Sequence, residues 1–368
     1  MESKILMAAN RQIKKNRPFF SNEKICEVFR SGNLMEIGFL SHQCRNDQCG
    51  SCIMCDYGAA TGAHSTQEYL DEMDRILGDA DDEVDILLIC TNGSFLDSSQ
   101  VNSELFQAVL ERAAKAHAGL IEIETHYRDV TVEKLRRIKA LLPDKTILIE
   151  MGLETINPLY QSHIIMKGIN LPDYERTISL IQSVGFFTEV NIMIGMPFLS
   201  AKEQFEDAAE TIQWAFSHNC RPALFPMNIK PYTLLMEMYR SGHYSPISQW
   251  MLPLLLKTLS NHQLENITIA WYGNREEIYT PDQERAIFPR ACPVCTTAIR
   301  NFYQQFLVAQ KGSERKALLE ELFAQNGGCS CLDKAMREIA TEPTDSFAAR
   351  YADYISYIKT YGPGGDVV

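Results

Sequence analysis

Between Met35 and Met227, short apolar runs alternate with stretches of helical spacing. Met35–Leu40 (MEIGFL), Asp85–Cys90 (DILLIC), Gly119–Glu124 (GLIEIE), Thr146–Met151 (TILIEM), Thr188–Ile194 (TEVNIMI) and Ala223–Met227 (ALFPM) are nearly continuous in hydrophobicity, the pattern of strands buried on both faces. Ser65–Leu77, Ser99–Ala116, Val132–Leu142, Asp173–Val184 and Ala201–Phe216 instead repeat at three and four residues, as in Tyr69, Met73, Ile76 and Leu77, and predict helices. The start Ser65-Thr-Gln-Glu68 suits a helix cap. Six strands, each feeding a helix or a loop that leads to one, predict an α/β fold with a parallel sheet under helices. Periodicity fits both a partial, TIM-like (β/α)6 barrel and an open doubly wound sheet.

The pattern divides the chain into a mixed, partly basic N-terminal extension (1–35), an α/β core (36–270) and a C-terminal region (271–368). In the last, Glu276–Arg290 is charged and Pro-punctuated. A Cys-Pro-Val-Cys follows, then a helix through Leu307, a polar linker and a second cysteine pair. The PGGDVV tail is expected to be disordered.

Composition narrows the function classes. The chain has 368 residues with 35 Lys+Arg against 47 Asp+Glu, a net charge of −12, so no global field draws it onto nucleic acid or anionic lipid. A local patch remains open: Arg11, Lys14, Lys15, Arg17 and Lys24 form either a basic contact or a solvated face. No apolar run reaches the length of a membrane span, and the start lacks the apolar segment and cleavage site of a secretory signal, so no membrane association is expected.

Eleven cysteines carry the candidate chemistry. Cys44, Cys49, Cys52 and Cys55 crowd the loop after the first predicted strand, Cys292/Cys295 and Cys329/Cys331 form two later pairs, and Cys26, Cys90 and Cys220 stand alone. Clusters of this kind in a long chain without a leader read as metal ligands in a reducing, cytoplasmic compartment. Three thiolates on one loop, with Gly50 and Gly58 to allow its turns, suit three corners of an iron–sulfur cube. A closed four-cysteine zinc site and metal-free buried thiols are the alternatives. Two separated pairs converging on one ion suit structural zinc, with a second iron–sulfur cluster as the alternative for Cys292, Cys295, Cys329 and Cys331.

The triad Cys44, Cys52 and Cys55-Asp56-Tyr57, in the loop after the first strand of a six-fold β/α pattern, resembles the radical S-adenosylmethionine (SAM) superfamily. Its wide first spacing resembles the branch of the Elongator catalytic subunit and the radical SAM subunit of archaeosine synthase. TNGSFLDSSQV (91–101), GLETINPLYQSHIIMKGI (152–169) and NIKPYTLLMEMYRSGHYSPISQW (228–250) extend the resemblance, which covers roughly 30–335. Met166 stands where that branch usually has Asn. The C-terminal Cys-x-x-Cys followed by Cys-x-Cys agrees with archaeosine-type relatives.

The resemblance implies a partial (β/α)6 barrel with a small Cys-rich metal-binding appendage. It also implies a 4Fe–4S cluster on Cys44, Cys52 and Cys55, SAM at the open iron, and a 5′-deoxyadenosyl radical that abstracts hydrogen. Cys49 departs from the pattern and reads as an alternative ligand, a substrate-facing thiol or a bystander. Tyr57 is implied near the adenine or the cluster, and Asn92-Gly93-Ser94 near the methionine end of SAM, unless they form an ordinary turn. Glu124, Glu150 and Glu154 fall at strand ends, where carboxylates of a parallel barrel face its mouth or form a solvated rim. Glu154 matches a ribose or substrate acceptor, and Asn191 a ribose contact or a core polar group. His126 stands where relatives carry Arg, while Lys230 and Thr233 face substrate or cap the barrel. Glu124, His126 and Lys230 are the candidate catalytic residues.

The substrate implied first is a small-molecule or carrier-linked intermediate. A tRNA nucleoside is the alternative, and a non-catalytic metal-stapled scaffold the third. An electron donor such as flavodoxin or ferredoxin is the expected partner.

Overall fold

The computed structural model describes residues 2–15, 24–41, 44–56, 64–79, 84–270, 286–325 and 329–362. Tyr57, Gly58, most of the charged stretch 276–290 and the PGGDVV tail lie outside them. Eight strands form one sheet in chain order: β1 (Cys26–Ser31), β2 (Leu34–Phe39), β3 (Ile86–Thr91), β4 (Leu120–Thr125), β5 (Thr146–Glu154), β6 (Phe187–Ile194), β7 (Arg221–Pro226) and β8 (Thr268–Ile269). The pair β1–β2 is antiparallel and all later pairs are parallel. The six predicted strands are β2 to β7. The edge strand β1 and the two-residue β8 are additions, and β5 runs on to Glu154 through a bulge between Gly152 and Glu154.

The sheet curls into a half-barrel. Arg221 on β7 lies 3.4 Å from Glu122 on β4. A flat sheet would hold those strands about 14 Å apart, so the contact crosses a concave face. Alternation along each strand sorts the side chains. Ile37, Leu87, Ile89, Ile121, Ile123, Ile147, Ile149, Val190, Ile192 and Leu224 join one large core with the covering helices. Glu36, Cys90, Glu122, Glu124, Glu150, Glu189, Asn191 and Arg221 occupy the opposite, inner register.

Local signals explain the helices. Ser65 accepts from the Glu68 N–H and Glu68 accepts from the Ser65 N–H, the reciprocal box its sequence suggests. The helix expected from Ser99 begins at Ser103, because Asn102 caps it and Asp97 folds Ser99 into the preceding turn. Residues Gly312–Ala324, expected as a polar linker, are helical. Their Leu319 and Leu322 join Cys295, Phe302 and Phe306 in the main core, so the cysteine-bearing C-terminal region shares apolar packing with the barrel. No helix among the described residues is long and apolar enough to cross a membrane.

A second core sits at the mouth of the barrel. It joins Leu6 and Ala9 of an N-terminal helix (Glu2–Lys15), Cys52, Ile53 and Met54 of the cysteine loop, and Phe347, Tyr351, Tyr354, Ile355 and Ile358 of a C-terminal helix (Phe347–Tyr361). Both ends of the described chain therefore share a core with the loop that carries the cysteine triad.

Candidate functional site

The cysteine loop leaves the C-terminal end of β2, where ligands of parallel α/β sheets gather. Cys44 precedes a single helical turn, Arg45–Gln48. Gly50 then takes φ +77°, and a Cβ there would lie 2.2 Å from Met7 O and 2.6 Å from Arg11 Cγ. Only glycine meets both demands. Cys52 also adopts a left-handed conformation, with φ +52°. Its N–H donates to Ile165 O at 3.2 Å, and the Cys55 N–H donates to Cys52 O at 2.9 Å. Cys52 is buried, Cys44 and Cys55 are half-buried, and Cys49 is exposed.

The N-terminal helix clamps this loop. Asn10 donates to Gly50 O at 3.0 Å and accepts from the Leu234 N–H at 3.1 Å, linking loop, helix and barrel end through one buried amide. Lys14 is turned inward onto Asp47, so it belongs to neither a basic contact nor a solvated face.

Charge converges beside Cys52. Burial raises the Cys52 thiol pKa well above its usual range, Lys167 lowers it, and Cys55 and Cys44 raise it further, which puts the three sulfurs within electrostatic reach of one another. Lys167 pairs with Glu154. Burial works against the Lys167 charge, but Glu154 and the neighbouring thiols hold its pKa above the usual lysine value. His126, at the end of β4, is pulled down to about 3 by burial and then by Lys167, Arg128 and Arg45. Its imidazole is therefore neutral. Because Nδ1 accepts from the Arg128 N–H, the proton sits on Nε2, which is buried with no partner among the described residues. A buried donor of this kind fits an acceptor on a bound molecule.

Other predicted residues have partners within the protein. Asn92 accepts from both the backbone and hydroxyl of Ser41, tying β3 to the root of the cysteine loop. The N–H groups of Gly93 and Ser94 donate to Thr91 and Gln100. Ser94 Oγ instead accepts from the His126 N–H and bonds Thr125, which sets the position of the imidazole. Lys230 pairs with Asp56 at 2.6 Å, and Thr233 caps the following helix. The Asn191 side chain lies beside Glu150. Burial, and then repulsion by Glu124 and Glu122 on Glu150 and by Glu189 on Glu122, push both acids far above the carboxylate range.

At the C-terminal region, one sulfur each from Cys292, Cys295, Cys329 and Cys331 lie within 4.8 Å of one another. The Cys295 N–H donates to Cys292 Sγ at 3.5 Å and the Cys331 N–H to Cys329 Sγ at 3.4 Å. The first of these backbone donors brings the Cys292 thiol down to about 7. Among the described residues that radius gathers no three of Cys44, Cys49, Cys52 and Cys55. The two groups thus differ in span: one fits a single tetrahedral ion, the other is spread more widely on its loop.

Lys167, Arg128, Arg45, Asn10 and Arg221 escaped the sequence reading. Lys167 pairs with Glu154 inside the 152–169 segment, whereas Arg128, Arg45, Asn10 and Arg221 take partners far along the chain.

No family model matches the chain. Among curated proteins it is similar to archaeosine synthase subunit beta of Methanosarcina acetivorans, 26% identical over 223 residues, 60% of this chain and 64% of that protein. The same-named protein of Thermococcus kodakarensis is 27% identical over 207 residues, 54% of this chain and 63% of that one. The chain therefore spans just under two thirds of either relative. Among solved structures it is similar to TsrM from Kitasatospora setae, a radical S-adenosylmethionine methyltransferase, with TM-score 0.46, 12% identity, and coverage of 79% of this chain and 61% of that one. By sequence the chain is similar to proteins named archaeosine synthase subunit beta, which fits the branch that its cysteine motif resembles.

Proposed function

We propose that the chain is a radical SAM enzyme in which Cys44, Cys52 and Cys55 hold a 4Fe–4S cluster. The observation that carries this reading is the three-sulfur loop at the barrel mouth with Cys52 buried. A buried thiol becomes a ligand only when a cation compensates its lost proton, and soft sulfur donors suit iron. When bound, the cluster and SAM supply reductive cleavage of the sulfonium and hydrogen abstraction, with a flavodoxin or ferredoxin as the electron source.

The chain's own residues do the positioning. Gly50, Asn10 and the Lys230–Asp56 pair fix the two ends of the cysteine loop. Lys167, Arg128 and Arg45 place positive charge around His126, whose Nε2–H meets an acceptor on the bound molecule. Neutral at physiological pH, His126 orients rather than titrates. Glu124 and Glu154 face the same mouth.

The substrate class we favour is a nucleoside within RNA, ahead of the small-molecule reading. The relatives are named for archaeosine, a modified tRNA nucleoside, and the exposed Arg128 puts local positive charge on a molecule of net charge −12, while the exposed Arg45 is paired with Asp97. Zinc is the ion proposed for the C-terminal cysteines, since sulfurs on one tetrahedral zinc lie about 3.8 Å apart, inside the observed radius.

Anaerobic reconstitution tests the core of this reading. Cys52→Ala is expected to lose the brown N-terminal chromophore and all 5′-deoxyadenosine formation, while exposed Cys49→Ser keeps both. SAM cleavage that survives Cys52→Ala would overturn the ligand assignment. Stimulation of wild-type cleavage by a tRNA transcript supports the RNA substrate, and indifference to tRNA returns the small-molecule reading.

A further inference from the structure

The concave face carries a group of acids that the proposed reaction does not use. Glu122 of β4, Glu150 of β5 and Glu189 of β6 are all buried, and each places a carboxylate oxygen within 4.8 Å of the others. Strand register explains the meeting: Glu150 pairs with Glu189, and Glu189 pairs with Arg221. Arg221 donates to Oε2 of Glu189 and approaches Oε2 of Glu122, which leaves each carboxylate a second oxygen. One guanidinium faces three carboxylates. If all are ionised, the group keeps two uncompensated negative charges in a buried place.

A second observation, independent of the acids, points to a ligand. Asn191 is 7% exposed, and its side chain lies beside Glu150. Its Oδ1 is buried with no hydrogen-bond partner among the described residues. This orphan acceptor lies on the same concave face as the acids, two residues along β6 from Glu189 and beside Glu150, and it calls for a ligand. A water would satisfy the carbonyl, whereas a cation would satisfy it and also the charge of the ionised acids.

We propose that Glu122, Glu150, Glu189 and Asn191 Oδ1 bind one hard divalent cation, Mg2+, Mn2+ or Ca2+, inside the half-barrel. The donor set is all oxygen, which selects hard cations and leaves soft ones to the cysteines. Oxygens around one such ion, at about 2.0–2.6 Å from it, lie roughly 3–5 Å apart, the range the carboxylates already occupy. Four protein oxygens leave at least two positions for water or for an oxygen of a molecule entering from the mouth. The cation site lies toward the strand N-termini from Glu154 and His126, and it uses no residue of either cysteine group. Its fate is therefore separate from that of the iron–sulfur assignment.

The full chain, with its cysteine groups loaded and then exchanged into buffer free of Mg2+, Mn2+ and Ca2+, is titrated with Mn2+ and followed by electron paramagnetic resonance. One Mn2+ per chain is expected, displaced by Mg2+ or Ca2+. Glu150→Gln keeps the volume and should weaken binding at least tenfold. Asn191→Ala should weaken it several-fold, and exposed Glu206→Gln should leave it within twofold. Absence of saturable Mn2+ binding up to millimolar concentration, or equal binding by wild type and Asn191→Ala, overturns the site. Should Glu150→Gln fail to fold, the Asn191 variant decides alone.

Discussion

Asp207 shows how much a single buried group can report. It lies in the helix Ala201–Ser217, accepts from Thr155 Oγ1 at 2.7 Å, and so anchors the turn that follows Glu154. Burial raises its pKa from 3.8 to about 7, against the pull of the Thr155 hydroxyl. Between those values the folded chain holds a proton that the unfolded chain has released. The contribution to stability is therefore present at low pH, falls as pH rises through that window, and is lost above about 7. Asp207→Asn keeps an acceptor for Thr155 and removes the charge. The variant should gain roughly 3 kcal/mol on wild type between pH 5 and pH 8, at about 1.4 kcal/mol per pKa unit. Urea melts at both pH values measure the difference. A gap that does not widen with pH would mean that Asp207 is ionised throughout.

At the scale of elements, the N-terminal helix is hydrogen-bonded to the cysteine loop and shares its core. Asn10→Ala strips a donor from Gly50 O and an acceptor from the Leu234 N–H, both in buried surroundings. The expected cost is about 1–3 kcal/mol. Iron per chain after anaerobic reconstitution should fall in step, whereas exposed Lys15→Ala should change neither. A full iron load in Asn10→Ala would show that the loop holds its shape without the helix. This dependence was hidden in the sequence, because nothing about Asn10 announces a partner forty residues away. By contrast, β2 to β7 were legible, since strands buried on both faces must be apolar throughout. The edge strand β1 (CEVFRS) interleaves Glu27 and Arg30, which only the hairpin with β2 makes sense of. Gly312–Ala324 opens on Gly-Ser-Glu-Arg-Lys and resembles a linker until Leu319 and Leu322 find the core. The two cysteine groups were visible from residue type and spacing. The ring of Lys167, Arg128 and Arg45 was not, because charge acquires meaning there only through folding.

For the whole molecule, the two cysteine groups rest on different cores, and this separates their fates. Cys52 is packed in the mouth core with Leu6, Ile53, Phe198 and Tyr354, while Cys295 belongs to the main core with Phe302, Phe306 and Leu319. Tyr354, 1% exposed on the C-terminal helix, touches the rings of Phe198 and His243. Removing such a ring leaves a cavity that costs about 3–5 kcal/mol. Tyr354→Ala should therefore loosen the mouth core, lower the iron held by the Cys44–Cys55 loop and speed its loss on dilution, while the zinc content stays near that of wild type. Metal analysis after the same reconstitution gives both numbers on one sample. If iron and zinc fell together, the two cores would be one cooperative unit. If neither changed, the C-terminal helix would share the mouth core without holding the loop.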